Sequence, residues 1–257
     1  MKKWKPWKGT IKLCILSTAL FTVIIWTIWG NTALMVNTVT VTAGRIPAAF
    51  SGFRIAQVSD LHNAEFGENN VRLLELLSES RPDIIVITGD LVDSGHTDID
   101  IAISFVEEAA RIAPVYYVTG NHEARLSQYD RLRNGLEAAG VSMLEDRAVE
   151  LERDGEKITL VGLSDPDFTV RGDIFGEIPA MVSTKLESLA DTESSYTILL
   201  SHQPELFESY ASSGIDLVLS GHAHGGQFRL PFIGGLVAPN QGLFPKYDAG
   251  LYTESST

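Results

Sequence analysis

The chain has 257 residues, 44% of them hydrophobic and 21% charged, with a net charge of −13; this is room for one large domain plus an appendage. Five lysines and no acid fall in the first twelve residues, and removing those five charges from −13 leaves −18 for the rest, which excludes an unspecific nucleic-acid binder with a basic surface. The single cysteine, Cys14, excludes an internal disulfide and a cysteine-based zinc site, so any metal must be held by His, Asp, Glu or Asn.

Residues 1–10 form a basic flank. No charge occurs from Leu13 to Gly44, and residues 11–35 supply the roughly 20 predominantly apolar residues of a spanning helix. Lysines on the N-terminal side favour keeping that end in the cytoplasm, which places the remainder on the extracytoplasmic side, with Trp26 and Trp29 near the far end of the span. A cleaved secretory signal peptide is the competing reading, with Thr42-Ala43-Gly44 as the cleavage candidate and a secreted body as the result. The length of the run and the lack of a small-x-small site directly after it favour an anchor. Residues 36–52 read as a connector and 53–257 as the body.

In the body, strand-like and helix-like patterns alternate. Phe53–Ser59, Asp83–Thr88, Val115–Thr119, Tyr196–Ser201 and Ile215–Ser220 read as strands, the second a continuous apolar run of the kind covered on both faces. Asn70–Ser80, Ile99–Ile112 (stopped by Pro114), Leu126–Ala139 (closed by Gly140), Pro179–Ala190 and a short stretch near Glu205–Ser212 read as helices. Val149–Leu151 and Lys157–Leu163 form a hairpin around Asp154-Gly155. Beyond Gly225 the chain is rich in Gly and Pro and reads as irregular, and its aromatics Phe228, Phe232 and Phe244 are expected in the core, with a face toward lipid or substrate as the alternative. This alternation implies a layered α/β fold with helices on the sheet faces, where ligands collect beyond the strand ends.

The polar residues obey that rule. The five strands end in Asp60-Leu61-His62, Gly89-Asp90, Gly120-Asn121-His122-Glu123, His202 and Gly221-His222-Ala223-His224. Of the six histidines only His96 lies elsewhere, and an exposed surface position is expected for it. Each motif alone reads equally as a turn or a surface residue; five strand ends with matched donors read as one metal site. Asp, His and Asn suit manganese, iron or zinc. Seven protein ligands exceed one tetrahedral ion and match two ions bridged by a carboxylate, the arrangement that clamps an in-line displacement at phosphorus.

These five blocks, in this order between about Phe53 and Gly226, resemble the signature of the calcineurin-like metallophosphoesterases, and the preceding apolar segment resembles their bacterial, membrane-associated phosphodiesterase branch. The resemblance implies a four-layer α-β-β-α sandwich and two divalent metal ions, manganese favoured over iron or zinc. Asp60, His62 and His224 would hold the first ion, Asn121, His202 and His222 the second, and Asp90 would bridge. His122 would act at the phosphate without binding metal, as general acid or charge stabiliser, with Asn121 also touching substrate and Glu123 or Asp93 orienting His122. The implied partner is a phosphate ester, envelope-borne or lipid-linked, with the membrane engaged through the N-terminal helix and no nucleic acid expected. Members of the family usually continue past Gly242 with strands closing the second sheet, so an ending at Thr257 implies a truncated version. The alternative is a membrane-tethered binding or scaffold protein on the same fold.

Overall fold

The chain folds as two compact units, residues 1–38 and 39–257; the computed structural model describes residues 7–170, 176–190, 195–230 and 232–254. In the first unit a single helix, α1, runs Trp7–Thr32. It therefore starts before the expected span 11–35 and stops before Ala33. Its stretch Gly9–Thr32 is 24 residues long and wholly unburied. At 1.5 Å per residue that is about 36 Å, enough to cross a hydrocarbon core of about 30 Å. The hydroxyls of Thr22, Thr27 and Thr32 donate to the carbonyls four residues earlier at 2.8–2.9 Å, so these three side chains are satisfied within the helix, as an apolar surrounding requires.

In the body, β1 (Ile55–Val58), β2 (Ile84–Thr88), β3 (Val115–Val118) and β4 (Ser142–Met143) form a parallel sheet in that order. A second sheet runs β5 (Arg147–Arg153), β6 (Glu156–Gly162), β7 (Tyr196–Leu200) and β8 (Leu217–Leu219), parallel except for the β5–β6 hairpin. The helices are α2 (Val71–Ser80), α3 (Ile99–Ile112), α4 (Asn121–Arg125), α5 (Tyr129–Ala138), α6 (Glu177–Leu189) and α7 (Phe207–Ser212). Asp98 caps α3 by accepting the N–H groups of Asp100 and Ile101.

The period of two along each strand builds the layers. Ile85 and Ile87 of β2 join Leu77, Phe105 and Leu132 in a core under α2, α3 and α5. Their neighbours Ile84 and Val86 point the other way and meet Leu160, Ile198 and Leu200 of the second sheet. Val161 and Leu199 then turn to Val182, Leu186 and Tyr210 beneath α6 and α7. All five β2 residues are buried. The result is α-β-β-α, as the resemblance implied.

Several expectations change. The helix expected over Leu126–Ala139 is α5, which starts later, at Tyr129, and a separate short helix that the sequence did not announce, α4, precedes it over Asn121–Arg125. The compact unit that holds the body runs from Val39, and Phe50, with Ile46 and Ala49, packs into the core between the sheets. The region after Gly225 carries two short antiparallel ladders, β9 (Arg229–Leu230) with β10 (Gly234–Gly235) and β11 (Val237–Ala238) with β12 (Gly242–Leu243). Phe228, Phe232 and Phe244 do not enter a core; they are 69%, 109% and 71% exposed.

Candidate metal centre

The loops leaving β1, β2, β7 and β8 continue the ladders of the strands they leave. Asp60 and His62 donate their N–H groups to the carbonyls of Gly89 and Asp90, and Gly221 donates to the carbonyl of His202. The two sheets are then stitched together: Asp60 accepts the N–H of His222 at 3.0 Å, and Gln57 Nε2 donates to the carbonyl of Ser220 at 2.9 Å. A Cβ at Gly221 would overlap Ser59 Oγ and Asp60 Oδ2, and one at Gly120 would overlap the Asp90 carboxylate. Glycine is required at both close approaches.

Six donor side chains converge. Asp60, His62, Asp90 and His224 form one cluster, and Asp90, His202 and His222 a second. His62 Nε2 lies 3.2 Å from His224 Nε2 and 3.6 Å from Asp90 Oδ2. His202 Nε2 lies 3.2 Å from the same Asp90 Oδ2 and 3.2 Å from His222 Nδ1. Asp60 Oδ1 stands 3.4 Å from His224 Nε2. One carboxylate oxygen thus serves both clusters. Asn121 opens α4, is buried, and keeps Oδ1 without a hydrogen-bond partner among the described residues. A buried acceptor left unmade is costly, and a cation beside it removes that cost. Two divalent ions fit this donor set of imidazole nitrogens, carboxylates and an orphaned amide oxygen.

The backbone is held in an unusual state here. Asp60, His62, Asp90, His222 and His224 all have positive φ, between 49° and 66°. Five of the seven expected ligands therefore occupy the left-handed region that non-glycine residues avoid, and such strain gathers at functional sites.

Polar neighbours fix the rings. His202 is fully buried and its Nδ1 donates to the carbonyl of Thr88 at 2.7 Å, which leaves Nε2 to face the site. His222 turns its other nitrogen to Asn240 at 3.1 Å and toward Glu205 at 3.8 Å, whereas His62 Nδ1 lies 3.9 Å from Asp93 and is buried without a hydrogen-bond partner among the described residues. Such outer partners set ring orientation. Burial, followed by the charge of His202, pushes the His222 imidazole down to about 3, and burial lowers His62. Burial works against the charge of Asp90, but the hydrogen bond and charge of His202 outweigh it and hold the carboxyl below its usual range.

His122 sits at the rim, its ring 4.5 Å edge-on to His62. Its Nδ1 accepts the backbone N–H of Ser94 at 3.0 Å. An amide N–H can only donate, so the neutral ring carries its proton on Nε2. Neither expected orienting residue makes that bond. Asp93 Oδ2 lies 3.8 Å from Nδ1, while Glu123 turns inward and accepts the N–H groups of Asp90, Val92 and Gly120. His96 is exposed, as expected, its side chain 98% accessible. Ser94, Asn240, Glu205, Gln203 and Asp165 were not singled out from sequence. Gln203 follows His202, and its Nε2 donates to buried Asp165 at 3.0 Å; burial raises the Asp165 carboxyl to about 7.

Residues 53–226 match the family model described as Calcineurin-like phosphoesterase. The chain is 29% identical over 228 residues to the uncharacterized metallophosphoesterase YkuE of Bacillus subtilis, covering 85% of this chain and 73% of that protein. It is 28% identical over 233 residues to the transmembrane protein with metallophosphoesterase domain of Bos taurus, covering 86% of this chain but only 50% of the relative. The crystal structure of TT1561 of Thermus thermophilus shares the fold with a TM-score of 0.50 at 16% identity, over 65% of this chain and 81% of that one.

Proposed function

The chain belongs to the calcineurin-like phosphoesterase family and is thus a metal-dependent phosphoester hydrolase with a dinuclear centre of divalent ions; from that premise we propose that it is a membrane-anchored phosphodiesterase whose body faces the extracytoplasmic side and acts on envelope or lipid-linked phosphate diesters. The observation that carries the site assignment is Asp90 Oδ2, placed 3.2 Å from His202 Nε2 and 3.6 Å from His62 Nε2. Asp60, His62 and His224 would hold one ion, Asn121, His202 and His222 the other, and Asp90 would serve both.

When bound, the two ions supply a hydroxide nucleophile and neutralise the charge that builds on the phosphate. The protein supplies the rest. His122, with its proton on Nε2, donates to the leaving oxygen as general acid, and the Ser94 N–H holds the ring in that tautomer. Asn121 and His122 flank the phosphate and orient it. An acidic body favours the singly charged diester over the doubly charged monoester. The unburied helix α1 and the name of the bovine relative support the anchor; the lysine flank supports the orientation.

The test is a panel of aryl diester, aryl monoester and nucleotide pyrophosphate offered to the full chain with manganese, iron or zinc. The diester with manganese is expected to turn over fastest, and Asp90→Ala to reduce it to background. Near-full activity in Asp90→Ala sinks the dinuclear assignment. A metal content near zero after growth in manganese favours the scaffold alternative.

A further inference from the structure

We infer that the outward face of residues 227–230 and 232–244 is a docking surface that seats on a lipid bilayer. The two short ladders are parts of one meander. Leu236 donates its N–H to the carbonyl of Phe228 and accepts the N–H of Phe244, and Gln227 donates to Val237. Extending the pairs Leu230–Gly234 and Val237–Leu243 by one register step places Phe228, Leu236 and Phe244 in one cross-strand row, on one face. Leu230 joins that face two residues on from Phe228, and Phe232 and Ile233 project from the turn beyond it. Phe228, Leu230, Phe232, Ile233 and Phe244 are all exposed. Contiguous apolar area of this kind marks an interaction site on a folded protein.

Phe232 is the decisive residue. Its φ is 67° and its ring lies wholly in solvent. Phenylalanine is disfavoured in left-handed backbone, and here neither the strain nor the exposure is offset by any contact of the ring within the described chain. Both are explained if the turn inserts into something apolar, as interfacial aromatics do.

Two features point to lipid as the occupant. The same polypeptide carries a helix of bilayer-crossing length with no burial, which keeps a bilayer at high local concentration. The cations of the meander are already engaged, Arg229 with Asp248 and Lys246 with Glu208 and Glu254, and the body is strongly acidic. Seating is therefore apolar insertion rather than attraction to anionic headgroups. Asn240, in the turn joining β11 to β12, contacts His222 at 3.1 Å, so the docking face borders the metal centre, where a lipid-borne phosphate would be presented. That last step rests on the phosphodiesterase reading; docking itself does not.

The test uses the full chain with Cys14→Ser and Phe232→Cys, carrying an environment-sensitive fluorophore at 232 and reconstituted in phosphatidylcholine vesicles. A matching Glu152→Cys variant labels β5 at the opposite end of the second sheet from His202. The emission at 232 is expected to shift to the blue relative to 152 and to be quenched by acyl-chain nitroxides, with no gain on adding anionic lipid. An unshifted, unquenched probe overturns the inference. So does a blue shift without lipid quenching, which means that a second copy covers the face. No hydrolysis is read, and Asp90→Ala should dock unchanged, so failure here is distinct from failure of the catalytic reading.

Discussion

Glu123 accepts the backbone N–H of Asp90 at 2.9 Å while carrying no exposed surface of its own. The same carboxylate takes the N–H groups of Gly120 at 2.7 Å and Val92 at 3.2 Å, tying the loop that holds the shared carboxylate to the loop that holds Asn121. Burial and the Asp90 charge push the Glu123 carboxyl up against those three donors. Glu123→Gln keeps the shape but points an N–H₂ group at a backbone N–H. A loss of roughly 1–3 kcal/mol in the stability of the metal-free protein is expected, with metal affinity weakened about 10–100-fold. Thermal unfolding and metal titration measure the two effects.

His122→Ala separates chemistry from metal binding. The ring bonds Ser94 and stands beside His62 without being one of the seven donors, so both ions should remain at full content. The turnover rate should fall by roughly 10²–10⁴, the usual contribution of a positioned acid. The fall should be smaller for a nitrophenyl diester, whose leaving group needs no proton, than for an alkyl diester. Loss of metal in this variant would instead make His122 a ligand.

Asp165 predicts a pH dependence. Burial raises its carboxyl from 3.8 to about 7, so the folded state holds the proton more tightly than the unfolded state does. Its contribution to stability is complete below the unfolded value and is lost as pH rises through about 7. At about 1.36 kcal/mol per pH unit, the decline in the metal-free protein amounts to at most about 4 kcal/mol. Asp165→Asn should flatten that decline, since an amide oxygen still accepts the Asp167 N–H and Gln203 can reverse its amide. Denaturant midpoints between pH 4 and 8 test this; an unchanged slope rules it out.

What was legible from sequence was whatever depended on short-range pattern. Runs such as DIIVIT are buried on both faces, so apolar continuity revealed β2, and each ligand follows its strand directly. Helix α4 was not legible, because Asn121–Arg125 is a single turn with no room for a helical period. Strand β4 has two residues and takes its identity from pairing with β3. The meander after Gly225 hides behind glycines whose positive φ serves tight turns rather than disorder. Ser94, Asn240 and Asp165 enter the site through hydrogen bonds to distant residues, and no local pattern encodes such partners. Hydrophobicity alone did not choose between core and surface for the phenylalanines of the tail, because it says that a side chain leaves water, not what it leaves water for.

The left-handed backbone of five ligand residues has a consequence for motion. Conformations of that kind persist only while their surroundings over-determine them, and at Asp60, His62, Asp90, His222 and His224 the bound ions are part of those surroundings. Chelation should therefore loosen one edge of the molecule and leave its centre alone. Amide hydrogens of residues 60–63, 89–91 and 221–226 should exchange faster in chelator, while β2, β3 and β7 keep their protection. Uniform acceleration across the body would show instead that the ions hold the whole fold. On this view the catalytic rim is a separately melting unit, closed by its own cofactors.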